Sequence, residues 1–270
     1  MKDIAFGQYY PVSSFVHKLD PRFKIVALIT YIVAIFLANN YYGMAVCALG
    51  FFLIVLCSRV PFKKVFRSVK GIFVLLIFTA VLQIFFYQES ENAKVWQWWI
   101  FTVSDESLLH AGFLVLRLAL LVMVASILTF TTTPVALTDG LESLLYPLKL
   151  IRFPVHELAL IMSIALRFIP TLMEETERIM NAQKARGADF ESGSLLSRAK
   201  AVIPILIPLL ISSFRRAEEL GDAMDARCYA GSKVRTKYKK LKFSWRDLVG
   251  LLVIAAIVVG VVFLKRFGAV

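Results

Sequence analysis

The sequence predicts an all-α, polytopic membrane protein with about five transmembrane helices and further helices in the cytoplasm or at its membrane surface. Hydrophobic residues make up 59% of the 270 residues, and the mean hydropathy of +0.71 is far above that of a soluble domain. Long uncharged runs alternate with loops that are either basic or acidic. The net charge of +12 therefore indicates cytoplasmic loops beside membrane spans rather than nucleic-acid binding.

The first half of the chain predicts three spans before its first acidic loop. No charged residue occurs from Ile25 to Ser58, a run too long for one span and suitable for two short ones. Turn-forming residues at 39–43 divide this run, so we expect a helical hairpin over roughly 24–39 and 43–58. A third uncharged run predicts a span over 71–88.

The charges of the loops predict one orientation in the membrane. Residues 59–70 contain five basic residues and no acid, which places this loop in the cytoplasm. Residues 89–111 are mainly acidic and rich in tryptophan, so we expect an external loop with a short interfacial segment. A fourth span over about 112–131 then returns the chain to the cytoplasm, on the same side as the N-terminus.

The second half predicts helices of mixed character. A short amphipathic helix begins at Pro134 and should end or kink at Pro147. Two long helices follow, over 155–187 and 201–228, each apolar at first and charged later. Only nine residues separate Glu157 from Arg167, which are too few to cross a bilayer.

A basic tract from Lys233 to Arg246 then precedes a final span over 248–264. We therefore expect an N-terminal membrane region of four spans over 1–131, a cytoplasmic coupling region over 132–245 and a last span in 246–270. We expect no cleavable signal, because about twenty polar or mixed residues precede the first apolar run.

One short pattern occurs twice, 41 residues apart, and marks the candidate site. Each copy reads Ala-x-x-Ala-Arg followed by a small residue, and each closes a charged helix. An arginine at a helix C-terminus can have a purely structural role, because its interaction with the helix dipole stabilises the helix by about 0.3–1 kcal/mol. Two copies at matched helix ends favour a shared role in docking carboxylates of partner proteins. The predicted partner-binding residues are Ala185, Arg186, Gly187, Ala226, Arg227 and Cys228.

Catalytic signals are lacking in the sequence. The three histidines match no metal-ligand spacing, the three cysteines suggest no pairing, and no phosphate-binding loop is present. We therefore predict no enzyme activity and no bound cofactor or metal. The spans carry no acid, which argues against an ion-coupled carrier. Arg167 lies in an apolar run, and we favour a place at the inner interface over one in a transport path.

At these residues the chain resembles the transmembrane T component of energy-coupling factor (ECF) transporters, which are importers of the ATP-binding cassette type. The two Ala-Arg motifs are the specific part of the resemblance. Its other segments are His17-Lys18-Leu19-Asp20-Pro21-Arg22-x-Lys24, Thr132-Thr133-Pro134, Gly140-Leu141-Glu142, Arg167-Phe168-Ile169-Pro170-Thr171-Leu172 and Arg215-Arg216-Ala217-Glu218. Cys228 departs from the family pattern, which has glycine there, and we expect the second helix to run on toward Gly231.

The resemblance implies a multi-pass subunit of the cell membrane that couples two cytoplasmic ATPases to a membrane-embedded substrate-binding subunit, the S component of a vitamin or micronutrient importer. Arg186 and Arg227 would each dock one ATPase, and the bilayer would be the only further partner. The alternative is a self-sufficient membrane carrier or channel with a regulatory cytoplasmic region. Reconstitution of the chain alone distinguishes the two hypotheses.

Overall fold

The computed structural model describes residues 9–86, 95–98, 101–151, 153–190, 194–229, 231 and 243–265. Its contacts divide the chain into two compact units. The first unit comprises Met1–Leu144 and Leu241–Val270, and the second comprises Leu145–Lys240. The predicted basic tract lies outside the described residues, except for Arg246. The predicted division into membrane and cytoplasmic regions stays a prediction.

The first unit contains seven described helices and a two-stranded hairpin. They are α1 (Pro21–Leu37), α2 (Tyr41–Ser58), α3 (Phe62–Lys70), α4 (Phe73–Phe86), β1 (Val95–Trp98), β2 (Phe101–Ser104), α5 (Asp105–Thr131), α6 (Pro134–Leu145) and α9 (Trp245–Leu264). The second unit contains a short 3-10 helix (Tyr146–Ile151), α7 (Val155–Ala185) and α8 (Leu195–Asp225). The all-α class is confirmed, because the described secondary structure is helical apart from this one hairpin.

Four described helices are long and apolar enough to cross a membrane, namely α2, α5, α7 and α9. A fifth is added if α3 and α4 are counted as one bent span. The chain is thus a polytopic membrane protein. These candidate spans differ from the predicted spans at two helices. α1 was predicted to span the membrane but has only 17 residues, whereas α7 was not predicted to span it but is long and apolar enough. α7 has the length and composition of a span because Phe168 and Ile169 extend its apolar stretch beyond Arg167, and the expectation that this stretch does not cross the bilayer stays a prediction.

Three boundaries also differ from the predictions. The basic loop at 59–70 is mostly the helix α3, because lysine and arginine are good helix formers and no glycine or proline lies between Phe62 and Lys70. α5 begins at Asp105 rather than 112, and Asp105 and Glu106 suit the positive end of its dipole. α8 begins at Leu195, six residues before the predicted start.

The acidic loop contains the antiparallel pair β1 and β2, in which Val95 is opposite Ser104. The sequence did not predict these strands, although valine, tryptophan and threonine favour them. On the other side of α5, the predicted end near Pro147 is confirmed, since α6 stops at Leu145 and a 3-10 helix follows.

The core of the first unit lies among α1, α2, α5 and α9. Tyr31 is buried, and its hydroxyl donates a hydrogen bond to the carbonyl of Cys47 in α2. Glycine permits close contact with α9 at two places. A Cβ at Gly50 would lie 2.6 Å from Ile257, and one at Gly250 would lie 2.7 Å from Phe23.

Asp247 joins the start of α9 to the start of α1. Its carboxylate has no solvent exposure and accepts hydrogen bonds from the backbone N–H groups of Asp20 (2.8 Å) and Ser244 (2.7 Å). The bond to Ser244 belongs to a capping box at the N-terminus of α9. Asp20 in turn caps α1 through its bond from Arg22 N–H.

Lys24 joins α1 to the end of α5. Its ammonium group is buried and donates to the carbonyls of Thr131 (2.9 Å) and His17 (3.2 Å) and to the hydroxyl of Thr132 (3.3 Å). The carboxylates of Asp247 and Asp20 also interact electrostatically with it. The motif around residues 17–24 therefore forms a buried polar network that binds the N-terminal segment, α1, α5 and α9 together.

We predict that Asp247→Ala lowers the free energy of unfolding by ~3 kcal/mol or more, because two N–H groups lose a charged acceptor and a buried cation loses its neighbour. Thermal unfolding of the purified protein in detergent measures the change. Asp139→Ala, at an exposed position of α6, is the matched control and should change stability by less than ~0.5 kcal/mol. Equal effects of the two substitutions would contradict the structural role of Asp247.

His17 gives this network a pH dependence. Its Nε2 donates to the carbonyl of Tyr10 (2.9 Å), and its Nδ1 pairs with the Ser14 hydroxyl (2.7 Å), which fixes the neutral tautomer. Burial lowers the pKa of His17 below its ordinary value of 6.5, and Lys24 lowers this pKa further, against the raising effect of backbone hydrogen bonds.

We predict that stability falls as the pH is lowered through 6.5, because the unfolded chain then binds a proton that folded His17 resists. Unfolding temperatures measured between pH 8 and pH 5 test this sign. His17→Gln keeps a polar side chain without titrating and should flatten the dependence. An unchanged slope in that variant would assign the pH effect to other groups.

Candidate functional site

The first predicted tip is a helix end of the Schellman type. α7 ends at Ala185, with Arg186 as its C-cap and Gly187 in the left-handed region at φ 87°. The N–H of Ala188 bonds to the carbonyl of Gln183 (3.0 Å), and that of Gly187 bonds to Lys184 (3.0 Å). These two bonds satisfy carbonyls that the helix end leaves free, and together they define the motif.

The second tip repeats this geometry 41 residues later. α8 ends at Asp225, and Cys228 occupies the left-handed region at φ 53°. The N–H of Tyr229 bonds to the carbonyl of Met224 (3.1 Å), and that of Cys228 bonds to Asp225 (2.9 Å). Arg227 therefore stands in the C-cap position that Arg186 takes in α7. Both helices present an arginine at the same point of the same turn.

The expectation that the second helix runs on toward Gly231 is wrong. Cys228 adopts the left-handed conformation that glycine takes at the first tip, and the helix ends before it. A side chain in that region costs roughly 1–2 kcal/mol. The two hydrogen bonds of the motif offset this cost. Gly231 is itself left-handed, at φ 74°, but lies beyond the helix end.

Both guanidinium groups are open to solvent. Arg186 and Arg227 are exposed, as are the alanines that precede them and the residues that follow them. Among the described residues, no hydrogen bond of either arginine side chain is found. A solvated arginine on a narrow turn of alanine and glycine can enter a groove and bind a carboxylate with two hydrogen bonds.

An ion pair joins α7 and α8 at equivalent positions of the repeat. Arg216 Nη2 donates to Glu175 Oε2 at 2.9 Å, and both side chains are about 30% exposed. Each partner lies eleven positions before the arginine of its own tip. The two helices thus pack against each other at matched points, each about 16 Å of helix from its tip.

Sequence reasoning missed this pair. Glu174 and Glu177 of the same helix are exposed, whereas Glu175 is half-buried. The separation of Glu175 and Arg216 by 41 residues, equal to the spacing of the tips, was the signal that could have found it.

The apolar parts of α7 and α8 are largely uncovered within their unit. The exposed fraction of Ile161 is 60%, and that of Phe214 is 64%. Other exposed apolar residues are Leu158, Met162, Val202, Ile203, Leu206, Ile207, Leu210 and Ile211. A surface of this size requires lipid or a partner protein. In the described part of the chain, no cluster of three metal-ligating residues occurs.

Comparison with known proteins identifies the group that shares these features. The family described as CbiQ, cobalt transport protein, matches residues 12–238. An energy-coupling factor transporter transmembrane protein, EcfT, from Clostridium kluyveri is 50% identical over 252 residues, or 93% of each chain. The EcfT of Acidaminococcus fermentans is 48% identical over 268 residues, 98% of each chain. That of Bacillus subtilis is 45% identical over 260 residues, 95% of this chain and 97% of its own.

The chain belongs to this family. Membership makes it a membrane component of the energy-coupling factor type, in agreement with the apolar helices found above. The match to residues 12–238 includes both arginine tips and, from the polar network, His17, Asp20, Lys24, Thr131 and Thr132. The relatives are matched over nearly their full length, so the resemblance is not confined to the apolar helices.

We predict that Glu175 and Arg216 are energetically coupled. Glu175→Gln and Arg216→Gln should each lower stability by up to ~1 kcal/mol, because the pair is partly exposed to solvent. The charge exchange Glu175→Arg with Arg216→Glu should restore part of this loss. Thermal unfolding of the wild type, the two single variants and the Glu175→Gln, Arg216→Gln double variant gives the coupling energy. The exposed neighbours Glu174 and Arg215, changed together to glutamine, should show none, and strictly additive losses at 175 and 216 would contradict the pair.

Proposed function

We propose that this chain is the energy-coupling transmembrane subunit of an importer, linking two cytoplasmic ATPases to a membrane-embedded substrate-binding subunit. The observation that carries the proposal is the pair of equivalent helix ends at Arg186 and Arg227. Because the two helix ends have the same geometry, we expect each to bind the same kind of partner. Two ATPase subunits meet this expectation. The chain itself would neither hydrolyse ATP nor bind the transported substrate.

Each tip would dock through its arginine. Exposed guanidinium groups with no described internal partner are free to bind acidic residues on an ATPase surface. Burial of such a charge-assisted pair at an interface makes each arginine worth about 2–5 kcal/mol in a truncation experiment. The small side chains of Ala185 and Ala226 keep each helix end narrow enough to enter a groove. The left-handed residues Gly187 and Cys228 turn the following chain away from the helix axis, so that it does not cover the arginine.

The apolar surface of α7 and α8 would receive the substrate-binding subunit. Residues such as Ile161, Ile207 and Phe214 form an exposed apolar surface that needs lipid or a partner protein beside it, and we assign the partner to this surface. They lie on the same two helices that carry the tips. A displacement of the tips by the ATPases is therefore transmitted along α7 and α8 to the partner in the membrane.

The ion pair between Glu175 and Arg216 supports this mechanical role. It ties the two helices where they pack, at equal distances from both tips. When one tip moves, the ion pair resists sliding of α7 against α8, so the movement is transmitted to the other helix. The basic residues of 59–70 and the acidic residues of 89–111 support a cytoplasmic location of the tips, on the side of the membrane where ATP is available.

We predict that Arg186→Ala with Arg227→Ala abolishes ATPase association and uptake, lowering the affinity for the ATPases at least ~100-fold, while each single substitution has an intermediate effect. Co-purification from membranes and uptake in whole cells are the two measurements. Arg178→Ala with Arg215→Ala removes the same charge from exposed positions of α7 and α8 and serves as the control.

Undiminished association in the tip variant would remove the proposed docking role. Purified chain reconstituted alone in vesicles provides the second arm. Transport without any ATPase would favour the alternative, a self-sufficient carrier or channel.

A further inference from the structure

The helix α3 carries a basic surface that the coupling role does not use. It contains Lys63, Lys64, Arg67 and Lys70, and residues 59–70 contain no acid. At roughly 100° per residue, Lys63, Arg67 and Lys70 fall within an arc of roughly 60°. All three residues are exposed, so this arc faces away from the core of the unit.

An exposed apolar edge lies directly beside these cations. Phe62 and Phe66 are one helical turn apart, and their exposed fractions are 41% and 70%. They stand between the cationic arc and Val65, which is buried where α3 packs against α5. Around α3 the order is therefore buried valine, exposed phenylalanine and basic residues.

The edge continues onto a helix that crosses the membrane. The rings of Phe62 and Phe52 lie 5.2 Å apart, and Phe52 is an exposed residue of α2. α3 is also bent by 60° from the apolar helix α4 that follows it. If α4 runs across the bilayer, α3 is turned toward the membrane plane, with the phenylalanines on the side of the acyl chains.

We propose that α3 is a binding surface for anionic phospholipid headgroups. Phe62 and Phe66 enter the boundary of the acyl chains, while Lys63, Arg67 and Lys70 bind headgroup phosphates. Lysine and arginine both suit a phosphate, and the absence of acids leaves their field unopposed. Lys64 is excluded from the set, because its ammonium lies 4.2 Å above the ring of Tyr10.

A lipid fits these features better than an acidic protein. An acidic protein would satisfy the cations but would leave the adjoining phenylalanines against a polar surface. A phospholipid supplies phosphate and hydrocarbon side by side, in the same order as α3 presents basic and apolar residues. The surface lies in the first unit and does not depend on the arginine tips.

The first test is lipid binding by the full chain in detergent, counted by native mass spectrometry during titration with phosphatidylglycerol or phosphatidylcholine. Phosphatidylglycerol should bind more tightly to the wild type. Lys63→Gln with Arg67→Gln should weaken its binding about 25-fold, from about fivefold per basic residue. Lys18→Gln with Lys64→Gln also removes two exposed charges, and it should change the binding less than twofold.

The second test is the depth of α3 in a bilayer. A nitroxide at Phe66→Cys, in protein with Cys57→Ala and Cys228→Gly, should be accessible to oxygen, and one at Arg67→Cys should be accessible to a water-soluble nickel chelate. Buried Cys47 remains unlabelled.

The proposal is overturned by equal binding of the two lipids, by equal loss in both double variants, or by a nitroxide at position 66 that is accessible to the water-soluble chelate rather than to oxygen. Loss of an acidic protein partner from the Lys63→Gln, Arg67→Gln variant, with lipid binding intact, also overturns it. A melting temperature close to that of the wild type shows that each variant is folded.

Discussion

Asp247 has no solvent exposure, yet it holds the N–H groups of Asp20 and Ser244 and faces the buried cation of Lys24. Buried charges of this kind are tolerated only when they are paired and fully hydrogen-bonded. Lys24 bonds to Thr131 and Thr132 at the end of α5, and Asp247 lies in the first turn of α9. One network therefore joins the N-terminal segment, α1, α5 and α9 within the first unit.

That segment is built on a repeat that extends beyond its motif. The two helix ends share a C-capping arginine, a left-handed residue and the same pair of hydrogen bonds. The ion pair between Glu175 and Arg216 joins the repeat at equivalent positions. Under the proposed function, this equivalence gives each ATPase the same lever length, and the exposed apolar faces of α7 and α8 carry the motion to the partner in the membrane.

Charge runs and turn residues were enough to predict most of the helices, because burial of charge in lipid is costly and glycine or proline ends a helix locally. The structure therefore agrees with three predictions: the helix end near Pro147, the two helices in the uncharged run at 25–58, and the end of α7 next to Gly187. The left-handed Cys228 could not be predicted, since hydrogen bonds of the turn decide it against the preference of the residue. The contacts of Asp247 with Asp20 join residues 227 positions apart, beyond any local pattern. Docking at the six tip residues stays a prediction.

The most direct measurement of the central claim is the subunit count of the wild-type complex purified from native membranes, obtained by native mass spectrometry in a mild detergent. The account predicts two ATPase subunits for each copy of this chain, one for each arginine tip. An active complex that contains a single ATPase, or none, would contradict it.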